Sequence, residues 1–273
     1  MEIVTIIFIL LYMLSAAAYF AYLFLQKDYL QKTGYFILLA GFLFHTAIIA
    51  LGFIKTGHFP ANNLRETLIV AGWAIAGVFL IIQYKFNLKI LGVFAAPLIA
   101  IVVIGASLLP GEPVQTTNIF KSFWLISHII TIFIGEASFA LACLVGVLYL
   151  MQERAIKTKI HGFFYRRLPS LELLDTTGYA CIVVGFTMLT IGLITGLVYA
   201  KAVWGRFWNW DPKEVWSGIT WLLYAVLLHE RLTVGWRGRK AAIMAIVGFA
   251  VLLFTFFGVN FLLKGHHGVF TKF

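Results

Sequence analysis

The chain has 273 residues, of which 62% are hydrophobic and only 12% charged, and it carries a net charge of +10. A soluble domain has charge on about a quarter of its residues, so this composition excludes one and specifies a polytopic membrane protein. The positive charge is dispersed over short loops with no soluble basic domain to hold it, which excludes nucleic acid as a partner.

Eight apolar stretches are long enough to cross a bilayer: residues 3–25, 34–54, 66–83, 90–109, 122–150, 176–200, 213–229 and 241–262. Lengths near ~20 residues predict helices rather than barrel strands, so the expected fold is an all-α polytopic membrane protein with about eight transmembrane helices. Only Met1 and Glu2 precede the first stretch, with no basic n-region, so it reads as a retained span despite Ser15-Ala-Ala-Ala18. His45 falls in the middle of the second, where an idle imidazole is expensive, and therefore packs on a polar neighbour or belongs to a ligand path. His58 and the turn-rich segment Leu109-Pro-Gly-Glu-Pro113 read as ordinary connections. The fifth stretch carries His128 about two turns inside its end and Glu136 a further two turns in. Cys143 and Cys181 lie inside spans, far from a C-x-x-C spacing, so thiol chemistry must come from a partner. The long hydrophilic segment Gln152 to Asp175, which includes His161, is expected along the membrane surface. With no repeat or linker, residues 1–273 form one domain.

Eight spans put thirteen basic residues on one face: Lys27 and Lys32, Lys85 and Lys89, five from Arg154 to Arg167, and four from Arg231 to Lys240. The other face has the remaining eight. Lys and Arg are retained on the cytoplasmic side, so both termini are expected outside, together with the loop between spans six and seven.

That loop is the most informative stretch of the chain. Five of the eight tryptophans sit between Trp204 and Trp221, in a segment whose glycines, charges and proline make it too polar to span. Asp211 reads as a helix N-cap, Pro212 as the first helical residue and Glu214 as the return partner of a capping box, which pins the preceding loop. Aromatic residues at 204, 207, 208 and 210 held against that helix start offer an apolar surface for a flat conjugated ligand. On composition alone, an interfacial belt of indoles anchoring spans at headgroup depth is the favoured account, because tryptophan enrichment at interfaces is ordinary.

Trp204-Gly-x-x-Trp-x-Trp-Asp-Pro-Lys-Glu resembles the signature of the heme-handling membrane proteins called the WWD family. Trp124-Leu-Ile-Ser-His128, His229-Glu-Arg231, Gly258-Val-Asn260, Lys264-Gly265 and His267 extend the likeness to the CcsA/ResC-type subunit of System II cytochrome c synthases. The resemblance implies that heme b is held at the outer face between His128 and His267, on the surface formed by Trp204, Trp208 and Trp210, with Asp211 shaping the loop. Two neutral imidazoles on opposite faces of a porphyrin supply both axial ligands of its iron. Adjacent side chains point in different directions, so only one of His266 and His267 faces the iron; counting from Gly258-Val-Asn260 as the family pattern does, the resemblance implies His267. Arg206, with Lys201 and Lys213, is placed to pair with the heme carboxylates, Arg offering a bidentate fork. Asn62 and Arg65 on another outer loop are further contributors to weigh. His229, in the family, looks like one ligand of a second heme iron whose other ligand comes from a partner, against a plain interfacial residue.

The implied activity is that of a holocytochrome c synthase (cytochrome c heme lyase) subunit. It presents heme for thioether attachment to the Cys-x-x-Cys-His segment of apocytochrome c, and heme export is a second role that the resemblance allows. The implied partners are a ResB/CcsB-type membrane subunit, apocytochrome c and a thioredoxin-like thiol reductant. The expected location is a bacterial inner membrane or a thylakoid membrane. Two other classes stay open. A heme chaperone or exporter hands heme to a carrier without forming thioethers, and the family's shorter relatives do this. An electron-transfer cytochrome b holds permanent hemes between histidine pairs, which only His45 and His229 begin to provide, and it leaves the tryptophan loop unexplained.

Overall fold

A computed structural model describes residues 2–57, 59–110, 122–159 and 162–258 of the chain. His58, His161, His266 and His267 lie outside the described residues.

Eight α-helices run through those residues: α1 Glu2–Leu25, α2 Asp28–Thr56, α3 Leu64–Phe86, α4 Leu91–Ser107, α5 Phe123–Thr158, α6 Leu171–Trp204, α7 Pro212–Thr233 and α8 Arg239–Leu253. No strand occurs among the described residues, and the all-α expectation holds. Six of these helices are long and apolar enough to cross a membrane. The other two depart from the expected pattern for local reasons. α4 is shorter, at 17 residues, carries Pro97 in its interior and is buried along most of its length. α7 is long enough at 22 residues, but Lys213, Glu214, Glu230 and Arg231 make its two ends polar.

Two boundaries correct the sequence reading. α5 does not stop near residue 150 but continues to Thr158, so its 36 residues reach ~54 Å, well beyond a hydrocarbon core of ~30 Å. The segment from Gln152 to Asp175 is therefore not one continuous element. Its start extends α5 and its end opens α6, and among the described residues between them a turn runs over 163–167. Arg167 ties that turn to the bundle, donating from Nε to the carbonyl of Leu23 at 2.7 Å. At the other boundary, α8 gives way at Phe254 to a π-helical turn, Phe254–Gly258.

α5 is the central helix, packed against α6, α8 and α3, and its seam with α6 is built on glycine. Gly178, Gly185 and Gly192 recur at seven-residue intervals and bring the two backbones close, as small residues do between membrane helices. A Cβ added at Gly135 of α5 would meet the Gly185 carbonyl oxygen and the Leu189 nitrogen at 3.1 Å. Residue 145 lies beside 178 and residue 128 beside 196, so the pair is antiparallel. The α5·α8 pair is antiparallel by the same test, with Gly146 at Ala242 and Phe133 against Phe256.

Up-and-down connectivity gives the bundle two chemically different ends. The ion pairs among the described residues all cluster at one end: Lys89 with Asp28, Lys157 and Arg239 with Glu153, and Arg231 with Asp175. The opposite end gathers the start of α5, the end of α6, the tryptophan loop, the start of α7 and the chain at Gly258.

Candidate functional site

His128 sits within the first two turns of α5, at the tryptophan end, half-buried against α6. Its Nδ1 lies 2.7 Å from the carbonyl oxygen of Gly192. A carbonyl can only accept, so Nδ1 carries the proton and Nε2 holds the lone pair of the neutral ring. Histidines that bind a metal through one nitrogen almost always anchor the other in this way, which orients the ring and raises its basicity. Room for the ring comes from Gly196, where a Cβ would stand 2.7 Å from Nδ1 and 2.8 Å from Cε1. The Gly192 carbonyl also receives the Thr195 hydroxyl at 3.0 Å.

The tryptophan loop is fixed at both ends by capping. Gly205, at φ 74°, closes α6 with its N–H on the Lys201 carbonyl, a left-handed conformation that glycine adopts without cost. At the far end the expected capping box is present. The buried Asp211 accepts the Lys213 N–H at 2.9 Å, and Pro212 occupies the first helical position. Glu214 does more than the sequence suggests. Its Oε2 receives the N–H groups of both Asn209, at 2.9 Å, and Asp211, at 3.3 Å. Those two bonds straddle Trp210 and hold it at φ 57°, a conformation that a bulky residue rarely adopts. The indole is left 78% exposed.

The aromatic residues of the loop divide into separate contacts instead of forming one flat sheet. Trp208 and Trp210 make an edge-to-face pair, with centroids 5.9 Å apart and planes at 87°. Trp204 ends α6 and meets Tyr199 edge-on, while the Lys201 ammonium lies 5.5 Å from the Phe207 ring centre. Trp216 and Trp221 belong to the bundle. Trp216 packs on Phe254 of the π-helical turn, and Trp221 donates from its indole N–H to Thr190 at 2.9 Å. Arg206 is exposed, and Lys201 is committed to the Gly205 carbonyl at 2.8 Å. Lys213 lies within electrostatic range of both Asp211 and Glu136, which brings the half-buried acid of α5 into the neighbourhood of the loop.

The remaining candidates lie elsewhere. His45 is fully buried between α1 and α2, with Nδ1 3.2 Å from the Tyr12 hydroxyl and the ring stacked on Phe8 at 4.3 Å; its polar neighbour is therefore Tyr12. Asn62 is buried and begins the connection into α3, its N–H on Glu66 at 2.9 Å. His229 is exposed near the end of α7, at the ion-paired end of the bundle and far from His128. Cys143 and Cys181 are free thiols within α5 and α6. The sequence reading missed the Gly192 carbonyl and the space at Gly196, although the seven-residue glycine spacing on α6 was a legible sign of close helix contact.

Residues 61–267 match the family model described as "Cytochrome C assembly protein". Among relatives, the chain is 34% identical to the "Cytochrome c biogenesis protein CcsA" of Guillardia theta over 81% of this chain and 80% of that protein. It is 36% identical to the protein of the same name from Prochlorococcus marinus (strain MIT 9301), over 78% of this chain and 76% of the other. Among solved structures it is similar to "Cytochrome c Heme Lyase CcmF", with a TM-score of 0.64 at 15% identity, a likeness of fold. That alignment takes in 98% of this chain, which spans only 48% of the larger protein. The match over residues 61–267, with relatives above 30% identity across most of the chain, shows that this protein belongs to the cytochrome c assembly protein family, alongside the CcsA proteins.

Proposed function

We propose that this protein acts in cytochrome c biogenesis as the heme-presenting subunit of a cytochrome c synthase. Heme b is its substrate, held at the tryptophan end of the bundle. The observation that carries this reading is the His128 imidazole, bonded through Nδ1 to the Gly192 carbonyl and thereby set to ligate through Nε2. It stands at the same end as a loop that displays Trp208 and Trp210. His267 would supply the opposite ligand, and the chain leaves the described region at Gly258 on this same end. Arg206, exposed on the loop, would pair with a heme carboxylate. His229, exposed at the other end, would ligate a second heme together with a histidine of the partner membrane subunit.

The chemistry this arrangement serves is addition of two apocytochrome thiols across the two vinyl groups of heme. Each S–H bond breaks, sulfur bonds to one vinyl carbon and hydrogen to the other, so no oxidant is consumed. The chain's contribution is positioning: fixing the heme edge beside the thiols makes a bimolecular encounter nearly intramolecular. No residue of the chain has to act as a nucleophile. A thioredoxin-like partner would keep the apocytochrome thiols reduced.

Trp210 offers a direct test, because its backbone conformation suits glycine better than tryptophan. Trp210→Gly should leave thermal stability unchanged or slightly raised, yet lower cytochrome c maturation roughly tenfold if the indole carries binding energy of the size typical of an aromatic contact. Trp208→Ala should act in the same direction. Full maturation in both variants would assign the indoles to membrane anchoring and remove the platform from the mechanism.

The proposed orientation places both termini and the tryptophan loop outside, on the strength of the thirteen basic residues at the ion-paired end. A reporter active only in the cytoplasm should be silent when fused after Phe273 and active when inserted near Lys159. The reverse pattern would put the loop inside and end the synthase reading.

A further inference from the structure

We infer that Asp175 and Arg231 are positioning residues for His229, a role that rests on the proposed reading of His229 as a heme ligand. α7 packs on α6, α8 and the π-helical turn, and its inward face consists of Thr220, Tyr224 and Leu227, all buried. Tyr224 stacks on Phe139 of α5 at 3.5 Å, and the hydroxyls of Thr220 and Thr255 meet at 3.3 Å. Continuing that face by four residues arrives at Arg231.

Arg231 closes the helix against a single carboxylate. Its Nη1 donates to Oδ1 of Asp175 at 3.0 Å and its Nη2 to Oδ2 at 2.6 Å, a bidentate fork. The guanidinium also lies 4.3 Å from the ring centre of Tyr179, one turn along α6 from Asp175. Oδ1 of Asp175 takes a further N–H from Gly238, at 2.7 Å, just before α8 begins. One carboxylate of α6 thus holds the end of α7 and the start of α8 together. The pair is 11% and 16% exposed, so water competes little for it. The connection between the helices folds back on the same point, with Val234 and Trp236 both donating to the Glu230 carbonyl.

A clamp of this kind fixes two things at once, the depth of α7 and its rotation. His229 stands two residues before Arg231, ~200° around the helix. With Arg231 drawn inward to α6, His229 must point away from the bundle. It is exposed there at the end of an outward row formed by Ile219, Leu222 and Val226, spaced three and four residues apart. His229 itself contributes its carbonyl to the Thr233 hydroxyl, and no hydrogen bond to its ring occurs among the described residues. Its orientation is therefore set by the helix and not by its own contacts. The clamp determines whether an imidazole at this height meets a ligand shared with another subunit.

The test uses the complex purified with its partner membrane subunit in a His128→Gly background, where the remaining reduced bis-imidazole spectrum reports heme at His229. Asp175→Asn, close to isosteric but uncharged, and Arg231→Lys, charged but without the fork, should each lower that signal roughly tenfold at unchanged chain level, within the range for losing a ligand's supporting partner. Asp175→Glu should retain a substantial part of it. An undiminished signal in Arg231→Lys, the milder change, overturns the clamp. If adding His229→Gly leaves the signal intact, the ligand reading itself falls and the inference with it; loss in His229→Gly with full signal in Asp175→Asn overturns the inference alone.

Discussion

Changing His128 to glycine should abolish cytochrome c maturation and lower heme retention at the outer site by roughly a hundredfold or more, at or beyond the upper end of what loss of a ligand's supporting partner costs. The reason lies in how the ring is held. Its Nδ1–H is committed to Gly192, so ligation falls to Nε2, and no other histidine among the described residues lies near this end of α5. The variant also removes a bulky ring from between α5 and α6 and leaves a cavity bounded by the polar Gly192 carbonyl. Free imidazole should enter that space and restore maturation in part, since it reproduces both the donor and the ligand nitrogen. His267→Gly should behave alike, whereas His58→Gly, His161→Gly and His266→Gly should do little. A defect rescued by imidazole in His266→Gly, with His267→Gly silent, would move the C-terminal ligand by one residue and preserve the mechanism. Undiminished heme in the His128 variant and in both C-terminal variants would refute the outer bis-histidine site.

The second large effect is expected from a residue that touches no ligand. Gly196→Ala should lower heme retention roughly tenfold to a hundredfold while leaving the helices intact, because it attacks the support of the ligand. An alanine Cβ at this position would stand 2.7 Å from Nδ1 and 2.8 Å from Cε1 of His128, closer than real contacts allow. The ring must move, and Nδ1, which bonds the Gly192 carbonyl, is the ring atom nearest the new methyl group, so that bond is lost. Helix propensity works in the opposite direction, alanine being favoured over glycine by ~1 kcal/mol in a helix interior. A loss of function without a loss of melting temperature is therefore the diagnostic result. Gly52→Ala is the matched control, since a Cβ there meets nothing within 4 Å and the same propensity gain applies. Equal heme content in Gly196→Ala and Gly52→Ala would show that the His128 ring is not held as described.

Both predictions depend on contacts that span many residues of chain, which marks where reading the sequence stops. Periodicity and length sufficed for eight helices, because a membrane helix satisfies its own backbone and announces itself through local composition. The capping box at Asp211, Pro212 and Glu214 was legible for the same reason: its members are neighbours. Family membership was legible too, carried by the tryptophan motif and the histidine contexts around it, and the match over residues 61–267 bears it out.

The boundaries that failed did so where hydropathy misleads. α5 runs on to Thr158 because Gln152, Glu153, Arg154 and Lys157 are good helix formers that water tolerates, so polarity there marks the exit from the membrane and not the end of the helix. A π-helical turn at Phe254–Gly258 lies inside what reads as an uninterrupted apolar span.

What the sequence determined by itself was the class of the molecule, its helices, the two chemically distinct ends and the pinned loop, since each follows from residues close together in the chain. What only the tertiary structure decided was which groups meet across the bundle. The Gly192 carbonyl fixes the tautomer of a histidine 64 positions away, and Asp175 fixes the rotation of a helix 56 positions away. Glu214, by gripping the amides on either side of Trp210, sets a backbone angle that no propensity favours. Such contacts form because antiparallel helices seamed with glycine bring distant turns to one level, and their partners are chosen by register, which local composition does not encode.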